Sequence, residues 1–388
     1  MKSTTDSLFS SHFLAGFECS CHRRNDGQRL DLLAATGHDQ HAGADYRELR
    51  KQRISAARDG VRWHLIETSP GHYDWSSFLL MLRAARESGM QVIWDLCHYG
   101  WPDDIDIWSP AFIDRFAAFA AAAATVVQDE SDEVPFYCPV NEISFWAWAG
   151  AEAGRFNPSV HGRGADLKRQ LVRATIAAID AVRTVDPRAR FITAEPMIHL
   201  VCGSPVLEHN LASESERMSQ FEAFYMLNGE LEPTLGGGAE YLDIVGVNFY
   251  PENQWYHAGP TIPMGHRHYR PLHDMLIEVH ERFGRPLLIA ETGAEGSGRP
   301  AWLHYVCSEV RSAIRAGVPV TGICLYPILD YPGWEDERTC HTGLMSSAME
   351  HGHRTLCAPL AEELHRQQAI FEGVVGEPGR ASLLRAAG

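Results

Sequence analysis

Residues 134–150 read VPFYCPVNEISFWAWAG. A mostly apolar run leads into Asn141-Glu142, and an aromatic patch follows at once. An unpaired carboxylate buried in such surroundings costs several kcal/mol, comparable to the net stability of a whole domain. A glutamate where an apolar run ends is therefore paired, or it does chemistry. The run itself has the length and the aromatic and β-branched content of a buried strand.

Working outward, seven more runs of this kind recur: HFLAGFE (12–18), GVRWHLIE (60–67), QVIWDLCHY (91–99), RFITAEP (190–196), YLDIVGVNFY (241–250), PLLIAETG (286–293) and VTGICLYPILD (320–330). Helix-like stretches separate them, with apolar residues at helical spacing: 75–89 closed by Gly89, 109–127 opened by Ser-Pro, 165–185 and 299–317. Strands too apolar to face water, alternating with helices, argue for a parallel sheet covered by helices. Eight such units predict an α/β fold, a single (β/α)8 TIM barrel, more than an open sheet. No glycine-rich phosphate fingerprint follows the first run, which weakens a dinucleotide-binding reading. The expectation is one catalytic barrel over 1–372 and a loosely held tail over 373–388.

The chain has 388 residues, 45% of them hydrophobic, and a net charge of −16. It is large enough for one barrel, and too acidic and too poor in Lys/Arg blocks to wrap phosphate backbones, so no nucleic-acid partner is expected. The N-terminus lacks the apolar core of a signal peptide, and no segment reads as membrane-spanning. Nine scattered cysteines read as reduced thiols and a cytoplasmic location. CSCH (19–22) and HDQH (38–41) lack the spacing of common zinc sites, so no metal and no cofactor are expected. The sequence gives no oligomeric state.

In such a barrel the active site lies at the C-terminal ends of the strands. The runs end on Glu18, Arg62 with His64, His98, Asn141-Glu142, Glu195, Asn248 with Tyr250, Glu291, and Asp330 followed by Trp334. This is an acidic pocket with aromatic walls and several donors, suited to a polyhydroxylated ligand such as a small carbohydrate or glycoside. Glu142 and Glu291 stand at the fourth and seventh ends, facing each other across the mouth. Opposed carboxylates are what glycosidic bond cleavage requires, one to carry a proton and one to stay ionised.

At these residues the sequence resembles clan A of the glycoside hydrolases, most of all family 1, the β-glucosidase group. FLAGFECSCHR (13–23) is similar to the family's opening FLWGAATSAYQ, and VRWHLIE matches YRFSISW loosely through Arg62. CHYGWP matches YHWDLP through His98 and Pro102; PVNEI matches TxNEP through Asn141 and Glu142; GVNFY matches GINYY through Asn248 and Tyr250. IAETG matches ITENG through Glu291, and PILDYPGW with RTCHTGL matches SLLDNFEW with RFGL. The motifs stand in order from residue 13 to about 345.

The resemblance implies a retaining β-glycosidase with Glu142 as acid/base and Glu291 as nucleophile. Asn141 would bond the sugar 2-hydroxyl, Arg62 and Tyr250 would hold Glu291 ionised, His98 would bind ring hydroxyls, and Trp334 would wall the subsite. Asn248 belongs to the same set. Departures fall on the sugar clamp: Arg23 stands at the family's glutamine if no gap intervenes, and Gly333 at its FEW glutamate. Ile143 and Thr292 replace the proline and asparagine beside the catalytic pair. A cation at Arg23 would favour a glycone with a carboxylate, or with an altered outer edge. Glu18 and Glu195 are weaker candidates; Glu195 with His199 fits a ligand contact and a loop-fixing role equally. Trp101, Trp146, Trp148 and Trp255 fit an aglycone channel or core packing. A transglycosidase on the same residues and a non-catalytic sugar-binding barrel are the rival readings.

Overall fold

A computed structural model describes residues 8–375, apart from 205, 337, 351 and 352. Eight strands form a closed parallel barrel in sequence order: β1 (Phe13–Gly16), β2 (Ala56–Gly60), β3 (Gln91–Cys97), β4 (Phe136–Val140), β5 (Arg190–Pro196), β6 (Ile244–Asn248), β7 (Leu287–Thr292) and β8 (Val320–Leu325), with β8 pairing back onto β1. Seven match the expected runs within a few residues. The second does not: β2 lies at Ala56–Gly60, and Trp63–Ile66 is a short helix. The strand AARDG is built of small residues and two charges, so an apolar-run search slides past it onto the more apolar helix.

The barrel interior is filled by alternate residues of the strands, among them Leu14, Ala56, Ile93, Phe136, Ile192, Ile244, Leu288 and Cys324. Their neighbours along each strand face outward and pack under the helices, such as Ile289 and Val247. The long helices Pro110–Glu130 and Gly164–Val185 pack on each other over β4. Pro110–Glu130 corrects one expectation: by length and composition it is apolar enough to cross a membrane. Its Phe112, Phe116 and Phe119 are buried against the ring of Trp63. The last helix runs over Ala358–Val375, so residues 373–375 are helical, and the rest of the expected tail lies outside the described residues.

Two backbone irregularities aim the glutamates. Glu142 follows the last residues of β4 in a left-handed conformation, φ 45° and ψ 60°, which a non-glycine residue adopts only at a cost of ~1–3 kcal/mol. Flanking strands hold it there: Asn141 N–H donates to Cys97 O at 3.0 Å and Glu142 N–H to Ala194 O at 2.9 Å. On β7 the register against β6 shifts between Ile289 and Glu291. Such a bulge re-aims a side chain, and here it turns Glu291 toward the mouth, although Leu288 and Ala290 already fill the inward positions.

Candidate active site

The ends of the strands enclose a cavity of about 440 Å³ lined by Glu18, His98, Tyr99, Glu142, Tyr250, Glu291, Tyr326, Tyr331 and Trp334, with Glu252 and Glu295 at its edge. Both glutamates singled out in the sequence face it.

Glu291 is buried between a cation and a phenol. Arg58 Nη1 donates to its Oε1 at 2.7 Å, and Tyr250 Oη donates to its Oε2 at 2.8 Å. Arg58 is fully buried in the barrel interior; it also bonds both oxygens of Asp95, at 2.8 and 2.7 Å, and Asn141 Oδ1 at 2.5 Å. Glu142 accepts from Asn248 Nδ2 at 2.9 Å and from Tyr99 Oη at 2.5 Å. Burial pushes both glutamates up to about 7. The two titrate as a pair, each opposing the other's charge. Arg58 touches Glu291 and not Glu142, so the geometry favours the charge on Glu291 and the proton on Glu142.

Arg62 therefore is not where the resemblance put it. Its guanidinium bonds Asp31 and Asp39, each at 3.0 Å. The physical reason is the early end of β2: Arg62 is the N-cap position of the helix Trp63–Ile66, past the strand and on the rim. Arg58, four residues earlier and inside the strand, reaches Glu291. The sequence signal was available in a strand otherwise of small residues, with Asp95 on the neighbouring strand.

Arg23 also lies elsewhere. It pairs with Asp103 at 2.5 Å and with Gly27 O at 2.7 Å, beside a separate groove. No arginine or lysine lines the cavity at the strand ends among the described residues, which removes the basis for a carboxylate-bearing glycone. Glu18 does line the cavity; its Oε1 takes the backbone N–H of Ser20 at 3.0 Å and the Ser20 hydroxyl. Gly333 sits at a hairpin turn, its N–H on Arg338 O at 2.8 Å.

His98 lines the cavity, and its Nδ1 meets Asp95 Oδ2 at 3.0 Å. Asn141 is buried behind the wall: its amide donates to His98 Nε2 at 3.0 Å and to Tyr99 Oη at 2.9 Å. In this state it has no amide hydrogen left for a sugar hydroxyl. Trp334 forms a wall, packed on Tyr99 and Phe156 at 5.7 and 6.1 Å between ring centroids, with its indole N–H unpartnered. Glu195 is fully buried and accepts the Ser144 N–H at 3.0 and 3.2 Å, two residues after Glu142. That is the loop-fixing alternative; burial pushes its carboxyl up to about 7. His199 pairs instead in a small sheet with Gln254–Tyr256. Of the four further tryptophans, none lines the cavity: Trp146 is core, and Trp148 is exposed under Arg155.

The two metal-like motifs resolve differently. His38 of HDQH bridges Asp45 and Asp59 at 2.8 Å each, fully buried and stacked on Phe17. Despite burial those carboxylates raise it to about 9, a charged structural link. Cys19 of CSCH clusters with Asp95 and His98. The cluster does not fit a metal: burial and Asp95 push the Cys19 thiol well up, and Asp95 is already held on both oxygens by Arg58.

No family model matches the sequence. Solved structures do match the fold. A β-glucosidase from Thermotoga maritima in complex with glucoimidazole superposes with a TM-score of 0.76 at 16% identity, over 95% of this chain and 100% of that one. The AHE enzyme from Alicyclobacillus herbarius gives 0.76 at 16%, over 95% and 99%. A rice β-glucosidase mutant in a covalent complex with Glc gives 0.74 at 16%, over 93% and 98%. The chain has the fold of the family 1 β-glucosidases. The match of fold spans nearly the whole chain at 16% identity.

Proposed function

We propose that this protein is a retaining β-glycosidase that cleaves a β-glycosidic bond by double displacement, with Glu142 as acid/base and Glu291 as nucleophile. The observation that carries the reading is the asymmetry of two buried glutamates on one cavity: Glu291 bound by a guanidinium and a phenol, Glu142 bound by neutral donors alone. In the first half-reaction Glu142 would donate its proton to the leaving oxygen while the Glu291 carboxylate bonds the anomeric carbon. In the second, Glu142 would take a proton from water, which attacks that carbon and frees Glu291. Tyr250 and Arg58 keep Glu291 ionised and oriented. Glu18 and Trp334 supply carboxylate and stacking surface for the glycone, and His98, with both ring nitrogens engaged by Asn141 and Asp95, shapes the wall beside them. The nine free thiols support a reducing compartment.

The test is turnover of matched aryl β-glycosides that differ in the glycone, followed by proton NMR, with and without added alcohol acceptors. Retained anomer as the first product supports the reading. Inverted product first, or no turnover of any glycoside, refutes it. Transfer to alcohol in preference to water marks a transglycosidase on the same site.

A further inference from the structure

Glu142 has a partner that the family resemblance does not supply. In the motif YHWDLP a tryptophan follows the histidine; here Tyr99 follows His98. Proton positions around Tyr99 follow from one fixed point. Arg58 can only donate, so the Asn141 atom 2.5 Å from its Nη2 is the carbonyl oxygen. Both amide hydrogens of Asn141 then face the other way. One goes to His98 Nε2 at 3.0 Å, the other to Tyr99 Oη at 2.9 Å. His98 accepts at Nε2 and so carries its hydrogen on Nδ1, toward Asp95. Tyr99 accepts from Asn141, and its single hydroxyl hydrogen points at Glu142 Oε2, 2.5 Å away.

The phenol is held for this task. Tyr99 is 1% exposed, in a left-handed conformation with φ 69°. Its carbonyl accepts from Asn157 Nδ2 at 3.0 Å, and its ring packs against His98, Trp146 and Phe156. Burial and the neighbouring carboxylates push its own ionisation well up, so it stays a donor.

We propose, resting on the glycosidase reading, that Tyr99 is a positioning residue for Glu142: it grips Oε2 and leaves Oε1 as the oxygen that carries the transferable proton. The partner on Oε1 is suited to that exchange. Asn248 donates to Oε1 through Nδ2, while its Oδ1 is buried without a partner. Turning the carboxamide presents Oδ1 as an acceptor when Oε1 is protonated, and breaks no other bond of that oxygen. The charged and titratable groups facing Glu142 are Glu195 from β5, Glu291 from β7, Arg58 from β2, and His98 and Tyr250 beyond β3 and β6. None of these bonds its carboxylate, which among the described residues is held by Tyr99 and Asn248.

The experiment is Tyr99→Phe in the full chain, read by carbon-detected NMR titration of labelled glutamate carboxyls, with Glu142 assigned by its loss in Glu142→Gln. A donor to the carboxylate favours the ionised form, so its removal moves the Glu142 midpoint upward, by about 1 pH unit. The alkaline limb of kcat/KM on an aryl glycoside moves the same way, and substrates with poor leaving groups lose more than activated ones. An unmoved or lowered Glu142 midpoint overturns the proposal, even where wild type turns over glycosides. A raised midpoint in a protein that cleaves no glycoside upholds the Tyr99 contact and refutes the glycosidase reading instead. Should Tyr99→Phe not fold, 3-fluorotyrosine throughout a Tyr250→Phe protein gives a more acidic, stronger donor. The midpoint then moves down, and an unmoved midpoint overturns the proposal.

Discussion

Arg58 and Arg62 offer the sharpest test of the site. Arg58→Met removes a guanidinium that makes two bonds to Asp95 and one each to Glu291 and Asn141. Asp95 is fully buried, so half of a buried pair is left behind, which costs roughly 3–5 kcal/mol. Glu291 loses an adjacent cation 2.7 Å away. A neighbouring positive charge lowers a carboxyl by about 1–3 units, so its removal raises Glu291 by that order. On the proposed mechanism the ionised Glu291 controls the acid limb of kcat/KM. A higher Glu291 midpoint therefore moves that limb to higher pH, and activity below neutrality falls about ten- to a thousandfold. Arg62→Met loses only Asp31 and Asp39 on the rim, and the limb should stay in place with a smaller loss of denaturant resistance. Arg58→Lys, which keeps the charge but not the fork, should fall between the two and guards against a methionine variant that does not fold. The assay is the pH profile of kcat/KM on an activated aryl glycoside, with urea unfolding alongside. Equal movement of the acid limb in Arg58→Met and Arg62→Met would refute the assignment.

Further outcomes follow from the same contacts. In Glu142→Gln the rate of glycosylation should fall with leaving-group basicity, with dinitrophenyl glycosides least affected; equal losses across leaving groups would show that Glu142 donates no proton. An activated 2-fluoro glycoside should label the peptide containing Glu291, checked by peptide mass mapping. Glu195, raised from 4.5 to about 7, stabilises the fold fully below about pH 4.5, and that contribution is lost as pH rises through 7. Glu195→Gln should accordingly flatten the fall in urea midpoint between about pH 4.5 and 7; parallel curves for the two proteins would place its charge elsewhere. With Gly333 lacking a side chain and Glu18 on the wall, Glu18→Gln should weaken kcat/KM for every glycone by about ten- to a hundredfold, the scale of one hydrogen bond to a charged group; no change would remove Glu18 from the glycone.

The barrel was legible because the strands are buried on both faces. Runs such as QVIWDLC and LLIAET keep their apolar signal whatever the neighbouring loops do, and both were located almost to the residue. β2 was misplaced because its interior positions carry the site. Arg58 occupies space that an aliphatic side chain fills elsewhere in the barrel, and the strand lost its apolar signature in proportion. The site that a strand serves is thus a direct cause of that strand being hard to find.

The same cause sorts the site residues. Glu142, Glu291 and Tyr250 were readable because each ends or follows an otherwise apolar run, and the polar residue stands out against it. Arg58 and Tyr99 were not, because their roles depend on three-dimensional partners that no local pattern encodes. Arg58 acts through Asp95, Asn141 and Glu291 on three other strands or their ends, and Tyr99 through Asn141 and Glu142. Arg23 failed for a different reason: order along the chain assigned it to the first strand end, if no gap intervenes, but its long side chain turns to Asp103. Motif order fixes which strand end a residue belongs to; it does not fix which way a flexible cation reaches. For that the deciding quantity is where a buried carboxylate lacks a counter-charge, and in this barrel the unmet charges of Asp95 and Glu291 are met by Arg58 alone among the described arginines and lysines.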